Sequence, residues 1–517
     1  MVKSKVKVRN IFKNVEIITR IDGGGNTLLF SELLSVIKVC HKTGDLDVPV
    51  TGIAYDSRKV QPGFVFVAIK GYVTDGHKYI SDALQRGAVA LIAEEELLQD
   101  DIPMVKVEDS RMALAKAADK FYNHPSQRIT ITGVTGTNGK TTTTHLVANI
   151  YKAAGNKTGL VGTIQNLVGG KEVPATNTTP ESLDLQQLLD GMEKSGVTHA
   201  AMEVSSHALA LNRTYAVDFD AAVFTNLSQD HLDFHSNMDD YAAAKAKLFA
   251  TAPLAIVNVD DDRGEEMVKA SNGTVVTYGL NKNADVSAKD VLVTARGVSF
   301  ITTGKFGEHN LNLKLTGKFN VYNALAAFTL GMAQGFDAET VITALEGVNG
   351  VAGRFELVDL GQPFGVVVDY AHTPDGLKNI LETARQVTEN RLISVFGCGG
   401  DRDRTKRPIM GELGTTLSDH AVITSDNPRT ENPNSIIKDI LEGVKKSADW
   451  QQKHTVIEGR RDAINHAIKD AQPGDVVVIA GKGHETYQVI GTTKYDFDDR
   501  EVAANALKER GYFQESE

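Results

Sequence analysis

The chain has 517 residues, of which 41% are hydrophobic and 23% charged, a composition typical of globular protein and a length that suggests about three domains. The 66 acidic residues outnumber the 55 lysines and arginines, and the formal net charge of −11 argues against a nucleic acid as partner, because phosphate contacts need surplus positive charge. With two cysteines and no apolar run long enough to cross a bilayer, we expect a cytoplasmic protein without membrane insertion, acting as a monomer.

Turn clusters divide the chain into segments, and the order of apolar runs and helical patterns predicts an α/β fold. The basic residues 1–27 lack the apolar stretch of a signal peptide and are interpreted as an N-terminal extension. Residues 28–125 are predicted to form a first α/β domain that ends in the turn cluster Asn123–Ser126. Residues 126–352 alternate buried strands with helices, which predicts a central parallel sheet wrapped by helices, and residues 353–517 repeat the pattern as a Rossmann-like α/β domain.

The most specific local signal is the sequence ITGVTGTNGKTT at Ile131–Thr142. A strand enters a glycine-rich turn and leaves it as a helix, so that backbone N–H groups and the helix N-terminus can bind phosphate oxygens. Lys140 would reach the outer phosphates, and the Thr141 hydroxyl suits Mg²⁺. The glycine spacing departs from the standard loop, since Val134 stands where that loop has glycine. ATP or GTP is the predicted ligand, bound by Gly136, Thr137, Asn138, Gly139, Lys140, Thr141 and Thr142.

Further motifs follow in a fixed order along the second and third segments. The central segment carries Glu203-Val-Ser-Ser-His207, Thr225-Asn-Leu-Ser-Gln-Asp-His231-Leu-Asp233, Tyr241-x-x-x-Lys245, Asn258-x-Asp260-Asp261 and Gly317-Lys-Phe-Asn320-x-x-Asn323. Farther on come Gly353-Arg354-Phe-Glu356, Asp369-Tyr-Ala-His372-Thr-Pro374 and Gly397-Cys-Gly-Gly-Asp401-Arg402. Together with the loop, the set resembles the Mur ligase family, the ATP-dependent amide ligases that build the peptidoglycan stem peptide. The resemblance runs from about Leu28 to Arg500.

The resemblance implies ATP as co-substrate and Mg²⁺ as cofactor. In the family, the lysine that matches Lys245 is carbamylated and supports a second metal ion, which requires a depressed amine pKa of the kind that burial near cations provides. The implied catalytic residues are Lys140, Glu203, His231 and Lys245, and the implied metal ligands are Thr141, Glu203, His231 and Lys245 as a carbamate. Further ATP contacts implied by the resemblance are Asn320, Arg354, Asp369 and His372.

A second group of motifs matches the family member that adds the third residue of the stem peptide. Asp56-Ser-Arg58 and Gly71-x-x-x-Asp75-Gly-His77 look like its uridine-nucleotide pocket, so the first domain is expected to bind the UDP end of the substrate. The resemblance implies UDP-N-acetylmuramoyl-L-alanyl-D-glutamate as that substrate, bound by Tyr55, Ser57, Tyr72, Asn177, Thr178, Thr179, Ser205 and Arg213.

The incoming amino acid is indicated by two motifs of the third segment, Ser425-Asp-Asn-Pro-Arg429 and Gly481-Lys-Gly-His-Glu485. meso-Diaminopimelate carries a carboxylate and an ammonium at its far end, where lysine has only the ammonium. A guanidinium pairs bidentately with a carboxylate, and a carboxylate such as Glu485 suits the ammonium. Lysine-adding relatives depart at the arginine, so Arg429 favours meso-diaminopimelate. The implied contacts are Arg402, Asp426, Asn427, Pro428, Arg429, Gly481 and Glu485.

The implied reaction is amide bond formation through an acyl phosphate, and three alternatives stay open. L-Lysine as acceptor and a folylpolyglutamate synthetase are disfavoured by Arg429 and the uridine-type first segment. A nucleotide-dependent binding protein without chemistry is disfavoured by the intact Glu203, His231, Lys245 and Asp369. Measured product formation would exclude it.

Overall fold

The computed structural model describes residues 27–71, 74–95, 102–175, 177–281, 283–294 and 297–513. These residues form two compact units. The first contains the described residues up to Thr130 with Thr179–Thr198 and Ala208–Asp218, and the second contains Ile131–Thr178, His199–His207 and the described residues from Phe219 onwards. Among the described residues, no helix is long and apolar enough to cross a membrane.

Short strands and helices alternate along the whole described chain. Up to residue 130 they are β1 (Leu28–Leu29), α1 (Phe30–Leu34), β2 (Val39–Thr43), β3 (Pro49–Val50), β4 (Gly52–Ala54), β5 (Phe64–Val67), α2 (Ile80–Gln85), β6 (Ala90–Ala93), β7 (Met104–Val107) and α3 (Ser110–Phe121). Turns of 3₁₀ helix occupy Ser57–Lys59, Gly76–Tyr79 and Pro125–Arg128.

The central segment is the longest. Its elements are β8 (Thr130–Thr135), α4 (Lys140–Ala153), β9 (Thr158–Val161), β10 (Asn166–Val168), β11 (Lys171–Val173), α5 (Ser182–Lys194), β12 (His199–Glu203), α6 (Ser206–Ala210), β13 (Ala221–Phe224), α7 (Met238–Phe249), β14 (Leu254–Asn258), α8 (Gly264–Ala270), β15 (Thr274–Gly279), β16 (Val286–Thr294), β17 (Gly297–Gly304), β18 (His309–Leu313), α9 (Lys318–Ala333) and α10 (Ala338–Glu346).

The third segment continues the alternation. Its elements are β19 (Glu356–Leu357), β20 (Gly365–Asp369), α11 (Pro374–Gln386), β21 (Leu392–Phe396), α12 (Lys406–Leu417), β22 (His420–Ile423), α13 (Pro433–Val444), α14 (Trp450–Lys453), β23 (His454–Val456), α15 (Arg460–Asp470), β24 (Val476–Ala480), β25 (Tyr487–Ile490), β26 (Thr493–Asp496) and α16 (Asp499–Glu509).

A five-stranded sheet in the order β2-β7-β6-β5-β4 forms the centre of the first unit. Strands β4 to β7 are parallel, and β2 runs antiparallel to β7. Their apolar residues, such as Val65 and Ile92, are buried together with Leu114 of α3 and Leu183 of α5. Helix α5 thus completes the core of the first unit although it lies some 60 residues farther along the chain than α3.

An eleven-stranded sheet and a six-stranded sheet organise the second unit. The larger has the order β11-β10-β9-β12-β8-β13-β14-β15-β16-β17-β18, with β8, β13, β14, β15 and β16 parallel and β16 to β18 antiparallel. Helices α4, α9 and α10 pack on it through residues such as Leu146, Phe328 and Val341. Because β8 lies inside this sheet, the loop that follows it stands at the carboxyl edge of parallel strands, where ligands of α/β proteins bind.

The six-stranded sheet has the order β19-β20-β24-β21-β22-β23 and is parallel except for β19. Both of its faces are covered, one by α11, α12 and α13 and the other by α15 and α16. Strands buried on both faces read as continuous apolar runs, as Val476–Ala480 does. The predicted α/β class is confirmed, and the boundaries at 27, 125 and 352 stay predictions.

Candidate active site

Two glycines fix the shape of the phosphate loop between β8 and α4. Gly139 has a φ of 83°, in the left-handed region that suits glycine, and a Cβ there would lie 2.4 Å from Oδ1 of Asn323. A Cβ on Gly136 would lie 1.8 Å from Oγ1 of Thr225. Val134, where the standard loop has its first glycine, is instead buried in the core of the sheet. The departure from the standard spacing therefore serves the packing of the strand.

Two lysines, the half-buried Lys140 and the buried Lys245, converge on one carbonyl of this loop. Lys140 Nζ donates to Gly136 O and to Thr137 O, both at 2.8 Å, and Lys245 Nζ donates to the same Gly136 O at 2.8 Å. Burial lowers the pKa of Lys140, and burial together with the nearby Lys140 holds the pKa of Lys245 well below its usual range. Lys245 also lies 4.5 Å from the ring centroid of Tyr241. The depressed amine pKa expected for carbamylation is thus present.

Glu203 ends β12, the strand next to β8, and faces the start of α4. Its Oε2 accepts from Thr141 Oγ1 at 3.0 Å and from Thr163 Oγ1 at 3.0 Å, while its Oε1 accepts from the Thr163 N–H at 2.8 Å. A buried carboxylate beside a hydroxyl offers the oxygen ligands that Mg²⁺ prefers, so the residues present fit this ion.

His231 lies in the turn after β13 with a φ of 56° and close to both lysines. Its ring meets that of His207 edge-on at 4.7 Å between centroids. Burial lowers the pKa of His231 to about 3, and the positive charges of Lys140 and Lys245 act in the same direction. A neutral imidazole is the form that binds a metal ion, and this environment favours it.

Arg354 brings the third segment to the phosphate loop, since its Nη2 donates to Thr141 Oγ1 at 2.9 Å. The next residue, Phe355, has a φ of 44°, and Asp369 Oδ2 accepts its N–H at 2.7 Å. Asp369 Oδ1 accepts the N–H of Ala371 at 2.7 Å, and burial raises the pKa of Asp369. In this structure Asp369 holds the backbone that presents Arg354.

The other two predicted ATP contacts belong to the central and the third segment. Asn320 is buried at the start of α9, where its Nδ2 donates to Thr316 O at 2.8 Å and its Oδ1 accepts from Asn323 Nδ2 at 3.0 Å. His372 belongs to the third segment, and its Nε2 lies 3.7 Å from Oδ2 of Asp230.

Two contacts between the central and third segments were missed by the sequence analysis. Lys406, at the start of α12, lies buried with its Nζ 3.4 Å from Oδ1 of Asp230, and Asn138 Nδ2 donates to Asp375 Oδ2 at 2.8 Å. Burial alone would raise the pKa of Asp230, but Lys406 and then His372 hold it well below its usual range. Asp375 directly follows the motif that ends at Pro374, and Lys406 lies four residues after the motif that ends at Arg402, which was the available signal.

The residues predicted for the UDP-linked substrate fall in both units. In the first, the Tyr55 hydroxyl donates to Asp184 Oδ2, Ser57 is buried in a 3₁₀ turn, and Arg213 Nη1 donates to Thr179 O at 3.1 Å. Burial, then the charge of Asp184, raises the pKa of Tyr55.

Three further residues of that set belong to the second unit. Asn177 is exposed, Ser205 is half-buried two residues after β12, and the Thr178 hydroxyl lies 3.0 Å from that of Thr163. Tyr72 lies outside the described residues.

Asn427 is the centre of the predicted acceptor motifs. Its Nδ2 donates to Glu485 Oε2 at 2.9 Å, and its Oδ1 accepts from Lys482 Nζ at 3.2 Å and from the Val489 N–H at 2.9 Å. Lys482, whose side chain has no exposed surface, also donates to Glu485 Oε2 at 2.8 Å. The sequence analysis quoted Lys482 within its motif but gave it no role, and the structure makes it the ion-pair partner of Glu485.

Arg429 ends the Asp-Asn-Pro-Arg turn, Asp426–Arg429. Its φ is 51°, and its Nη1 donates to Gly400 O at 2.8 Å. Burial, then the neighbouring charge of Arg402, lowers the pKa of Arg429. Arg402 is exposed. Two cations held this close suit an anionic group of a ligand.

Glycine backbone packs tightly against the same turn. A Cβ on Gly400 would lie 1.9 Å from Pro428 O, and one on Gly481, which has a φ of 122°, would lie 2.5 Å from Asp426 Oδ2. All the predicted acceptor residues are therefore gathered at one end of the six-stranded sheet.

A phosphate loop at the end of a buried parallel strand, with a carboxylate on the neighbouring strand, is an arrangement typical of ATP-dependent enzymes. Family models match this chain over three stretches. They are the Mur ligase family catalytic domain at residues 49–122, the Mur ligase middle domain at 134–331 and the Mur ligase glutamate ligase domain at 353–483. The chain belongs to the Mur ligase family, which confirms the resemblance drawn from the motifs.

Two curated relatives carry the same name. A protein of Caldanaerobacter subterraneus subsp. tengcongensis is 48% identical over 468 residues, which cover 90% of this chain and 96% of that protein. A protein of Clostridium botulinum is 49% identical over 463 residues, which cover 88% of this chain and 95% of that protein. Both are called UDP-N-acetylmuramoyl-L-alanyl-D-glutamate–2,6-diaminopimelate ligase. A solved structure of a ligase with the same name is 34% identical with a TM-score of 0.66, covering 94% of this chain and 99% of that one.

Proposed function

We propose that this protein uses ATP to join meso-diaminopimelate to UDP-N-acetylmuramoyl-L-alanyl-D-glutamate. The observation that carries the proposal is the extent of the similarity: relatives that are 48–49% identical over about nine-tenths of the chain are named for this ligase. The arrangement of Arg429, Arg402 and Glu485 supports the choice of acceptor, because it offers cations to a carboxylate and a carboxylate to an ammonium.

The reaction begins at the phosphate loop. The D-glutamyl side-chain carboxylate attacks the γ-phosphorus of ATP, forming an acyl phosphate and releasing ADP. Lys140 lies on the phosphate loop at the start of α4, where its ammonium can stabilise the charge that develops on the transferring phosphoryl group. Arg354 reaches the same place from the third segment through its contact with Thr141.

The second step forms the amide. The amine of diaminopimelate attacks the acyl carbon, the tetrahedral intermediate expels phosphate, and the nitrogen loses a proton. The Asp-Asn-Pro-Arg turn and the Gly481–Glu485 loop hold the far end of the amino acid, which orients the reacting amine toward the acyl phosphate. Buried residues at the junction of the segments, including Lys406 and Asp230, exclude water from this intermediate.

We propose that two Mg²⁺ ions are held near the loop. Thr141 and Glu203 would hold one, and His231 and Lys245, as a carbamate, would hold the other. Bound Mg²⁺ neutralises charge on phosphoryl oxygens. The depressed pKa of Lys245 favours the neutral amine that reacts with carbon dioxide, which supports the modification.

For the nucleotide end we propose the first unit. Tyr55, Ser57, Thr179 and Arg213 lie there, and we assign Asn177, Thr178 and Ser205 of the second unit to the muramoyl peptide. We propose that Asn320 and His372 contact ATP. We also propose that the protein acts in the cytoplasm as a monomer. The free thiols of Cys40 and Cys398 support a reducing compartment.

The test is phosphate release from ATP in the presence of UDP-N-acetylmuramoyl-L-alanyl-D-glutamate. We expect strong stimulation by meso-diaminopimelate and little by L-lysine. Stimulation by lysine instead would keep the ligase and refute the role of Arg429. No stimulation by either would refute the proposal and favour a binding protein without chemistry.

A further inference from the structure

The hairpin β25–β26 contacts the Asp-Asn-Pro-Arg turn through side chains. Gln488 Nε2 donates to the backbone oxygen of Asp426 at 2.5 Å. One residue farther, the Val489 N–H donates to Asn427 Oδ1 at 2.9 Å, which adds to the bond that Lys482 makes with the same oxygen. The first two residues of the turn are thus fixed by strand β25.

The last residue of the turn is fixed by the backbone of the same strand. Arg429 N donates to Val489 O at 3.1 Å, and the Gly491 N–H donates to Arg429 O at 2.8 Å, so that Arg429 and Ile490 form an isolated parallel bridge. A left-handed φ of 51° is costly for a residue with a side chain, and these two bonds offset the cost. The direction in which the Arg429 side chain leaves the backbone therefore depends on the hairpin.

The hairpin depends on the turn in return. Strand β26 is exposed along its whole length, and Ile490 and Tyr495 have 49% and 53% of their surface exposed. A two-stranded hairpin of this kind is marginally stable by itself. The hydrogen bonds between the hairpin and the turn therefore stabilise the hairpin, which buries little apolar surface of its own.

Tyr487, the first residue of β25, lies between two lysine side chains and the acceptor motifs. Lys494 Nζ lies 3.9 Å from its ring centroid, and Lys482 Nζ lies 5.5 Å from it. Burial, then the charge of Glu485, raises the pKa of Tyr487, and the charge of Arg429 acts in the opposite direction. The hairpin therefore reaches the two groups that bear opposite charges in the proposed acceptor site.

We propose that the β25–β26 hairpin sets acceptor specificity: it holds Arg429 in position for the distal carboxylate of the incoming amino acid, with Gln488 as a positioning residue. The inference rests on the proposed function, since it takes meso-diaminopimelate as the acceptor, as that function does. It extends that function to a structural element outside the two acceptor motifs Ser425–Arg429 and Gly481–Glu485.

The first test replaces Gln488 by methionine, which has similar length and no N–H donor. Loss of one bond to a buried carbonyl is expected to raise the KM for meso-diaminopimelate about fivefold to tenfold, with kcat within about twofold and the KM for ATP unchanged. The ratio of kcat/KM for meso-diaminopimelate over L-lysine should fall by a similar factor. The control is Tyr495→Ser, since Tyr495 pairs with Gln488 across the hairpin but is exposed.

A second test uses the unaltered protein, so it does not depend on the folding of a variant. Amide hydrogen exchange at Arg429 and Gly491 is expected to slow when meso-diaminopimelate is added to protein saturated with ADP and UDP-N-acetylmuramoyl-L-alanyl-D-glutamate. L-Lysine at the same concentration should leave it unchanged. Exchange that does not respond to meso-diaminopimelate would overturn the inference.

The two proposals fail in distinguishable ways. Wild-type turnover with meso-diaminopimelate and an unchanged KM in Gln488→Met would overturn the inference alone. A variant that loses activity equally with both acceptors, through kcat, would also overturn it. Absence of meso-diaminopimelate turnover in the wild type would refute the proposed function and the inference with it.

Discussion

The phosphate loop and the Asp-Asn-Pro-Arg turn both bury cations, but they balance the charges differently. At the loop, the hydrogen bonds of Lys140 and Lys245 end on backbone carbonyls, and both meet at Gly136 O. At the turn, Lys482 is bonded to Glu485 and to Asn427. Nearby, the buried Arg460 is paired with the equally buried Asp499.

This difference indicates what each region lacks before its ligands bind. Buried positive charge without carboxylate partners is costly, and the cost falls when phosphates, or a carbamate on Lys245, supply negative charge. At the turn, the Lys482–Glu485 ion pair is complete before a ligand binds, whereas Arg429, whose Nη1 donates to Gly400 O, can still receive a carboxylate. The phosphate loop therefore depends on its ligands for charge balance more than the turn does.

The largest expected effect tests the first half of the comparison. Replacing Lys245 by alanine should lower kcat by roughly 100-fold or more, because the proposed carbamate is a metal ligand. Short carboxylic acids such as acetate should restore part of the activity by standing in for the carbamate. The measurement is phosphate release under saturating substrates.

Helix α7 offers a matched control for this variant. Lys247→Ala removes an exposed lysine two residues farther along the same helix and should leave kcat unchanged. Full activity in Lys245→Ala would remove the carbamate from the proposal. A loss of activity that no carboxylic acid restores would point to a purely structural lysine.

A smaller effect tests the second half. Arg429→Ala should raise the KM for meso-diaminopimelate about 10- to 100-fold, since a charge-assisted bond is lost, and should affect L-lysine much less. Steady-state kinetics with both acceptors measure this. Arg385→Ala, which removes an arginine of a surface ion pair with Asp419, is the control and should change neither value. Equal effects on both acceptors would contradict the role of Arg429.

The smallest effect concerns pH and the histidine beside Glu485. Burial, then the charge of Arg354, lowers the pKa of His484 from 6.5 to about 3. The unfolded chain therefore takes up a proton on this histidine below about pH 6.5, whereas the folded chain does not take it up until about pH 3. The contribution of the neutral histidine to the free energy of unfolding is thus fully present above about pH 6.5 and is lost as the pH falls. Between about pH 7.5 and about pH 5.5 the loss is about 1.4 kcal/mol.

Urea unfolding at these two pH values checks the prediction. His484→Gln should lose less stability on acidification than the wild type, by that amount. His466→Gln, which replaces an exposed histidine of α15, should behave like the wild type. An identical pH dependence in wild type and His484→Gln would show that the buried imidazole does not resist protonation.

The sequence predicted the α/β class and the phosphate loop because both depend on short-range patterns. Continuous apolar runs predict buried parallel strands, and a glycine turn before Lys140–Thr141 predicts a helix N-terminus facing phosphate. It also predicted the depressed pKa of Lys245, but only through the family resemblance. From its helix position alone, Lys245 is indistinguishable from a surface lysine.

The sequence did not predict the partners of the site residues. Lys406 and Asp230 lie 176 positions apart, and Lys482 reaches Asn427 across 55 positions. Such pairs come from the packing of strands and helices distant in the chain, which no local pattern encodes. The same holds for α5, whose Leu183 completes the core around Val65.

By itself, the sequence determined the family and the class of fold and predicted which residues carry the chemistry, because these follow from residue type and spacing. Only the tertiary structure decided the pKa values and the backbone conformations of those residues. Burial lowers the pKa of Lys245 and His231, and the hairpin β25–β26 fixes the left-handed backbone of Arg429. Both effects depend on what surrounds a residue in space, since desolvation and hydrogen bonding are set by neighbours that the chain brings together only when it folds.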